Sequence, residues 1–221
     1  MSKLVWDQAG ERLYETGVEQ AAIYPQTADG KYAKGEAWNG LTAVTESPSG
    51  AEPTPLYAND KKYLELRSAE EFGGTIEAYT YPDGFAACNG EKTIVKGLTV
   101  SQQARTPFGM VYKSLIGNDT EGIKHGYKLN IVYGAVVSPS EKANNTVNDS
   151  PEATTMSWEF TTTPVEVPNC DPSAKLTIDS TQVDAAKLAA LEAKLYGSDE
   201  EEPTLLTPAE IAAMLTEEVA G

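Results

Sequence analysis

The chain has 221 residues, of which 40% are hydrophobic and 23% are charged, a composition typical of globular proteins and unlike that of a coiled coil. No stretch approaches the roughly 20 apolar residues that a membrane-spanning helix needs, and residues 1–7 lack the apolar core of a signal peptide. The 33 acidic residues outnumber the 17 basic ones, which gives a formal net charge of −16. Because nucleic-acid binders use Lys and Arg to displace phosphate counterions, a surface of this charge is expected to repel DNA, and plain solubility is the alternative explanation of the charge.

Alternation of apolar and polar residues dominates the first 180 residues and predicts antiparallel β-structure with one face on a core. In residues 128–137, the alternating apolar side chains are expected to share one face of a strand. Those side chains are Leu129, Ile131, Tyr133, Ala135 and Val137. A single helical turn is expected within residues 82–88. Other strands are expected near residues 16–24, 36–45, 75–81, 93–101, 108–116 and 174–179.

One further strand, residues 155–161, has the clearest division between its two faces. Met156, Trp158 and Phe160 point one way, while the residues between them are Ser157 and Glu159. We therefore expect the three large apolar side chains to pack in the core of a β-sandwich.

The C-terminal part of the chain differs in composition from the rest. A helix is expected at about residues 182–196, capped by Asp179, Ser180 or Thr181 and ending at Gly197. Residues 197–203 then form an acidic segment expected to behave as a solvated linker. The sequence therefore predicts a β-sandwich domain with a flanking helix at 1–197 and a separate tail at 198–221.

A short amphipathic helix is predicted within this tail. Thr207, Pro208 and Glu210 form an N-terminal capping box with proline at the first helical position. One helix face is apolar and is the candidate docking face of the tail. It consists of Ile211, Met214, Leu215 and Val219.

Residue patterns that carry catalysis or bind cofactors are weak or absent. Cys88 and Cys170 lack the spacing of a zinc or dithiol motif, so both are expected to be free thiols packed as small hydrophobic residues. The single histidine, His125, has no Ser or Cys nucleophile motif near it and is expected in a turn. Residues 117–122 lack the ligand spacing of a calcium loop and predict a hairpin turn. We therefore expect no enzyme activity, no metal and no cofactor.

Three blocks of the sequence carry a family resemblance in their order and spacing. They are residues 57–63 with 70–85, residues 106–114 with 126–133, and residues 154–164. Together they resemble the major tail proteins of long-tailed phages and prophages of Gram-positive bacteria, over roughly residues 1–180. The C-terminal helix and its acidic linker lie outside this resemblance.

The resemblance implies a mainly β, antiparallel sandwich or barrel of the phage tail-tube type. Such proteins form hexameric rings that stack into a hollow tube, through which DNA passes to the host without specific binding. The implied location is the virion tail, assembled in the cytoplasm of the host bacterium. The implied partners are other copies of the chain, the tape measure protein, the tail terminator, the tail-tip proteins and a tail assembly chaperone.

A proline-rich segment becomes a candidate inter-ring stacking loop under this resemblance, with a mobile surface loop as the alternative. Its residues are Ser47, Pro48, Gly50, Pro53, Pro55 and Tyr57. The second functional hypothesis is an adhesion or carbohydrate-binding β-sandwich, which would use the aromatic residues Trp38, Tyr79, Tyr81 and Trp158. A related secretion-tube protein would share the ring, but such proteins are typically shorter and lack the long loops.

Overall fold

The computed structural model describes residues 3–147, 149 and 152–216. The fold is mainly β with antiparallel pairing, as the alternation predicts. The strands are β1 (Tyr14–Pro25), β2 (Glu36–Ala37), β3 (Leu41–Glu46), β4 (Ser49–Gly50), β5 (Pro53–Ala58), β6 (Lys61–Arg67), β7 (Glu70–Glu71), β8 (Gly73–Ala78), β9 (Lys92–Val95), β10 (Leu98–Val100), β11 (Phe108–Asn118), β12 (Gly122–Val137), β13 (Met156–Thr162) and β14 (Lys175–Asp179). The helices are α1 (Phe85–Cys88), α2 (Ala185–Tyr196) and α3 (Pro208–Thr216).

An eight-stranded sheet forms the body of the molecule. Its strand order is β2-β1-β11-β12-β13-β8-β3, and β14 pairs with β12 on the edge opposite β11, the edge where β13 also pairs. The last strand, β3, returns close to β1, so the sheet curls around an enclosed core. The other strands form three two-stranded ladders, β4–β7, β5–β6 and β9–β10.

Two apolar clusters cover opposite faces of this curved sheet. The inner cluster fills the curl and includes Ile23, Met110 and Phe85, the last of which lies on α1. The outer cluster lies between the sheet and helices α2 and α3, where Tyr24 and Val111 meet the helices. Neighbouring residues of β1 and β11 thus point alternately into the two clusters, because successive side chains of a strand face opposite ways.

The strand β12 changes face at Gly134, which corrects the expectation of a single apolar side. Leu129, Ile131 and Tyr133 lie in the outer cluster, whereas Ala135 and Val137 lie in the inner cluster. Gly134 has a φ of +58°, and its backbone NH donates a hydrogen bond to the hydroxyl of Tyr32 at 3.0 Å. A left-handed residue interrupts the strict alternation of a strand, so the apolar residues beyond it point to the other face.

Two predicted strands are each divided in the structure. The segment 36–45 contains β2 and β3, which pair with different partners. The segment 93–101 is a hairpin of β9 and β10 whose connection contains Gly97 at a φ of +87°. Glycine takes this conformation without steric cost, which allows the tight reversal of the chain.

Helix α2 begins later than expected because its cap is a residue that the sequence reading passed over. Asp184 accepts hydrogen bonds from the backbone NH groups of Ala186 and Lys187, at 3.0 and 3.2 Å. Asp179 instead accepts from the NH and hydroxyl of Thr181 in the preceding turn. Since Asp184 satisfies two of the helix's free donors, it is the N-cap in place of the three earlier candidates.

The two cysteines are both free thiols, but only one of them packs as a small hydrophobic residue. Cys88 is buried in the inner cluster, whereas Cys170 is exposed. Burial raises the pKa of the Cys88 thiol to about 12. The expectation that both cysteines are buried is therefore wrong for Cys170.

This difference predicts selective alkylation of the two thiols. Because the thiolate is the reacting species, iodoacetamide near neutral pH should modify Cys170 and leave Cys88 unmodified until the protein is unfolded. Mass spectrometry of the native and the denatured protein would measure one and two additions, respectively. Equal labelling rates at both cysteines in the native protein would contradict the burial of Cys88.

Candidate assembly surfaces

A long hairpin extends from β3 and β8 beyond the main sheet, and we call residues 47–72 the arm. The pairing keeps one register from Glu46↔Gly74 in the sheet, through Ser49↔Glu71, to Leu56↔Leu64 near the tip. The arm is therefore a continuation of the β3–β8 ladder rather than an independent unit. Residues 47–59 can cover about 40 Å along the strand contour.

The tip of the arm is a two-residue turn. Asn59 and Asp60 both have a positive φ, at 52° and 58°. These angles are those of a type I′ turn, which matches the right-handed twist of the flanking strands and favours Asn and Asp. The pair Asn59–Asp60 between two strands was a signal for this hairpin that the sequence analysis did not use.

Large apolar side chains on the arm are in contact with solvent. Tyr57 is 70% exposed and Tyr63 is 73% exposed. Leu56, Leu64 and Leu66 are exposed as well. A hairpin of two strands is marginally stable by itself in water, and clustered exposed apolar residues mark interaction sites. The arm is therefore a candidate interaction surface.

The predicted stacking segment lies along one side of this arm and is not a loop. Gly50 belongs to β4, while Pro53, Pro55 and Tyr57 belong to β5. Ser47 donates its backbone NH to the carbonyl of Gly73 at 2.8 Å. Pro48 lies between β3 and β4. Prolines occur here because a two-stranded hairpin leaves one edge of each strand unpaired, where a missing NH has no ladder partner to lose.

The arm is firmly attached where it leaves the sheet. The hydroxyl of Thr162 donates to the carbonyl of Phe72 at 2.7 Å, and the Phe72 ring lies 6.1 Å from that of Phe160. Gly74 is required at this position, because a Cβ there would lie 2.2 Å from the carbonyl oxygen of Thr45. The arm therefore starts from a fixed position on the body.

Charged groups add to this attachment. Glu46 accepts a hydrogen bond from the hydroxyl of Tyr112 at 2.7 Å and pairs with Lys175 of β14. Burial works to raise the pKa of Glu46, but the hydrogen bonds from Lys175 and Tyr112 outweigh burial and lower it. Glu46 is consequently ionised at neutral pH and joins the base of the arm to β11 and β14.

The three residues of the candidate core strand are in the inner cluster. Met156, Trp158 and Phe160 are all buried on β13. The indole NH of Trp158 donates to the side-chain oxygen of Asn89 at 3.1 Å. This face of β13 is turned toward α1 and away from solvent.

The aromatic residues proposed for carbohydrate binding do not form an exposed platform. Trp38 and Trp158 are buried, with ring centroids 5.7 Å apart. Tyr81 packs against the same cluster, and its ring is 5.7 Å from that of Trp158. Of the four, only Tyr79 is exposed. Sugar-binding sites stack rings against solvent-accessible aromatic faces, which these four residues do not offer together.

The C-terminal docking face packs on the chain's own outer cluster. Ile211 is buried there, and Met214 and Leu215 are half-buried against it. The remaining residue of this predicted face, Val219, lies outside the described residues. The capping box forms as predicted: Glu210 accepts from the NH of Thr207 at 2.8 Å.

The acidic segment before this helix is exposed, but it is held at several points. Glu201 pairs with Lys194, and Glu202 accepts from Lys34 at 2.7 Å. The carbonyl of Pro203 accepts from the NH of Gly35 at 2.9 Å. The segment is thus solvated, as expected, yet it lacks the freedom of movement expected of a linker.

The hairpin β9–β10 is a second exposed surface, and the sequence analysis did not single it out. All seven residues of its two strands are exposed. Among them are the apolar side chains of Ile94, Val95, Leu98 and Val100. The turn residue Gly97 and the short alternation on either side of it were the available signal.

The structure has few features of a catalytic centre in the residues it describes. Within the ranges 3–147, 149 and 152–216, no group of three or more His, Cys, Asp or Glu side chains could hold a metal ion. His125 lies in strand β12 and not in the turn where it was expected, and its Nδ1 is 2.6 Å from a carboxylate oxygen of Glu121. The predicted turn at 117–122 is present between β11 and β12. None of the described helices is long and apolar enough to cross a membrane.

Among known proteins, only solved structures are similar to this chain, and sequence comparisons find no match. No protein-family model matches the chain, and no curated protein sequence matches it. The structure of the SPP1 tail tube is similar with a TM-score of 0.40 and 11% identity, covering 85% of this chain and 92% of that one. The sheath–tube complex of PVC, an extracellular contractile injection system, gives a TM-score of 0.31 and 9% identity, covering 72% and 88%. What this chain does must follow from its own surfaces and charge.

Proposed function

We propose that this protein is a structural subunit that polymerises with copies of itself into a tail tube. The observation that carries the proposal is the arm, which continues the main sheet outward and exposes Tyr57, Tyr63 and Leu66. An arm of this kind is stabilised when a second molecule covers its apolar side chains. The residues of the sequence resemblance include the tip of the arm and the buried strand β13.

In the proposed assembly the subunits form rings, and the rings stack. An arm that binds a different surface on the next copy makes a head-to-tail contact, and such contacts close into rings or continue as filaments. We propose six subunits in a ring, following the sequence resemblance. The arm then reaches the adjacent ring, which gives the proline-rich segment its stacking role.

The charge of the chain suits a conduit for DNA. Each subunit has a formal charge of −16, and a ring multiplies that charge. Carboxylates lining a pore repel DNA phosphates over about one Debye length, roughly 8 Å at physiological salt. Repeated lysine contacts would instead retain the DNA. We propose that the tube lies in the virion tail, is assembled in the host cytoplasm, and meets the tape measure, terminator, tail-tip and chaperone proteins named above.

Electron microscopy of the purified protein tests this proposal. At high concentration the protein should form hollow tubes, and at lower concentration rings. Sedimentation that gives only a 23.7 kDa monomer at every concentration, with tail-assembly factors present, would contradict it.

A shortened arm provides a sharper test. Replacing residues 53–67 with Asn-Gly should leave the body folded, since the clusters of the body contain no residue of this segment. The variant should keep the thermal transition of the parent protein but form no tubes. If the shortened protein polymerises as readily as the parent, the arm is not an assembly element.

A further inference from the structure

The β9–β10 hairpin combines exposure with a fixed position on the body. Ile94 and Val95 are 61% and 59% exposed, and Leu98 and Val100 are exposed beside them. Neither strand has a second ladder partner among the strands that the structure describes. The hairpin therefore offers apolar side chains and free strand edges together, which is the surface used in strand-to-strand association.

The base of the hairpin is held by hydrogen bonds to the core side of the molecule. The carboxylate of Glu91 accepts from the hydroxyl of Tyr81 and from the amide of Asn89. Asn89 in turn accepts from the buried indole of Trp158. Beyond the end of β10, Gln103 donates its NH to the carbonyl of Gly90 at 2.9 Å. A hairpin anchored in this way is presented to a partner with little loss of conformational entropy.

The charge of this hairpin is opposite to that of the whole chain. Residues 92–100 include Lys92 and Lys96 and no acidic residue, whereas the chain has 33 acidic and 17 basic residues. Neither lysine forms an ion pair with any residue in the described part of the chain. An apolar surface that carries uncompensated positive charge is complementary to a surface rich in carboxylates.

We propose that the β9–β10 hairpin is a second self-association element, which binds the acidic surface of another copy of this chain. This inference rests on the proposed self-assembly. Charge favours another copy of the chain as the partner, because all 33 acidic residues lie outside the hairpin and a second copy presents them to its two lysines. DNA is disfavoured as the partner, since two lysines on a protein of net charge −16 release few counterions.

Charge reversal at the hairpin tests this inference. In the Lys92→Glu, Lys96→Glu double variant, the protein concentration at which tubes appear should rise at least about ten-fold, because two attractions per subunit become repulsions. For the parent protein, raising the salt from about 0.05 to about 0.5 M should raise that concentration as well, because salt screens exposed charges. Light scattering over a concentration series measures both effects.

The matched control carries the same change of net charge elsewhere. Lys31 and Lys124 are exposed lysines outside the arm and the β9–β10 hairpin, so the Lys31→Glu, Lys124→Glu variant should polymerise close to the parent concentration. The inference would be overturned if tubes of the two double variants appeared at the same protein concentration. It would also be overturned if the Lys92→Glu, Lys96→Glu variant polymerised like the parent protein but, unlike the parent, no longer retarded a DNA fragment, since DNA would then be the partner of the hairpin. Either result leaves the tail-tube proposal standing, whereas a parent protein that never polymerises refutes that proposal instead.

Discussion

Replacing Trp158 by alanine should lower the free energy of unfolding by about 3–5 kcal/mol, because it removes a large side chain from a packed core. Trp158 is only 2% exposed. Its ring lies 5.2 Å from Phe85 and 5.7 Å from Trp38. Aromatic pairs at these distances add about 0.5–1.5 kcal/mol beyond the burial of their surface. The substitution also leaves Asn89 without the donor that it now binds.

Chemical denaturation of the purified protein measures this loss. Trp6 provides a matched control, because it is the same residue type but is 72% exposed. The Trp6→Ala variant should unfold within about 0.5 kcal/mol of the parent protein. If Trp158→Ala proved as stable as Trp6→Ala, this face of β13 would be a surface and the inner cluster would not be the core.

Ending the chain at Gly197 should leave a β-fold that is weaker by several kcal/mol. The sequence predicts that residues 1–197 fold without the tail, and the structure gives the expected cost. Leu205 and Ile211 are buried in the outer cluster, and burying such a side chain stabilises by about 1.5–3 kcal/mol. The hydroxyl of Tyr133 also donates to the carbonyl of Leu206 at 2.8 Å.

A point substitution separates packing from chain length in this experiment. Leu205 lies over Gly109, where an added Cβ would be 2.1 Å from its methyl group. Leu205→Ala should therefore cost about 2–5 kcal/mol, while Ala213→Ser on the exposed side of α3 should cost little. A chain of residues 1–197 that fails to fold at all would show that the domain boundary at Gly197 is wrong. A truncated chain as stable as the full chain would show that the tail does not stabilise the body.

Elements with long apolar alternation were predictable from the sequence, because burial on a sheet fixes their pattern. The strand β13 belongs to this group, and the helix α2 was predictable in a similar way from its leucines at helical spacing. The change of face at Gly134 was not predictable from alternation, since it depends on one left-handed residue in the middle of a strand. The position of α3 was equally out of reach, because an amphipathic face does not specify which surface it covers.

The arm shows why an exposed apolar surface is harder to predict than a core. Its prolines indicate a loop when each residue is considered alone, yet Pro53 and Pro55 lie in a strand. Its apolar residues Leu56 and Tyr57 are exposed in the single chain, so their pattern reflects no burial within the subunit. Apolar residues that are not buried within their own chain leave little periodicity in the sequence.

The shared strand β12 has a mechanical consequence for any assembly of this protein. One stretch of its backbone pairs with β11 and β14 on the helix-covered side, and the next stretch pairs with β13, which carries β8 and the root of the arm. A force applied at the arm is therefore transmitted through the backbone of β12 and its hydrogen-bonded ladders to the part of the sheet that the helices cover. No hinge separates that part from the part that carries the arm. Gly134, at the junction, leaves no room for a Cβ, which would lie 2.7 Å from the carbonyl oxygen of Thr163. The subunit should bend and twist as one stiff body.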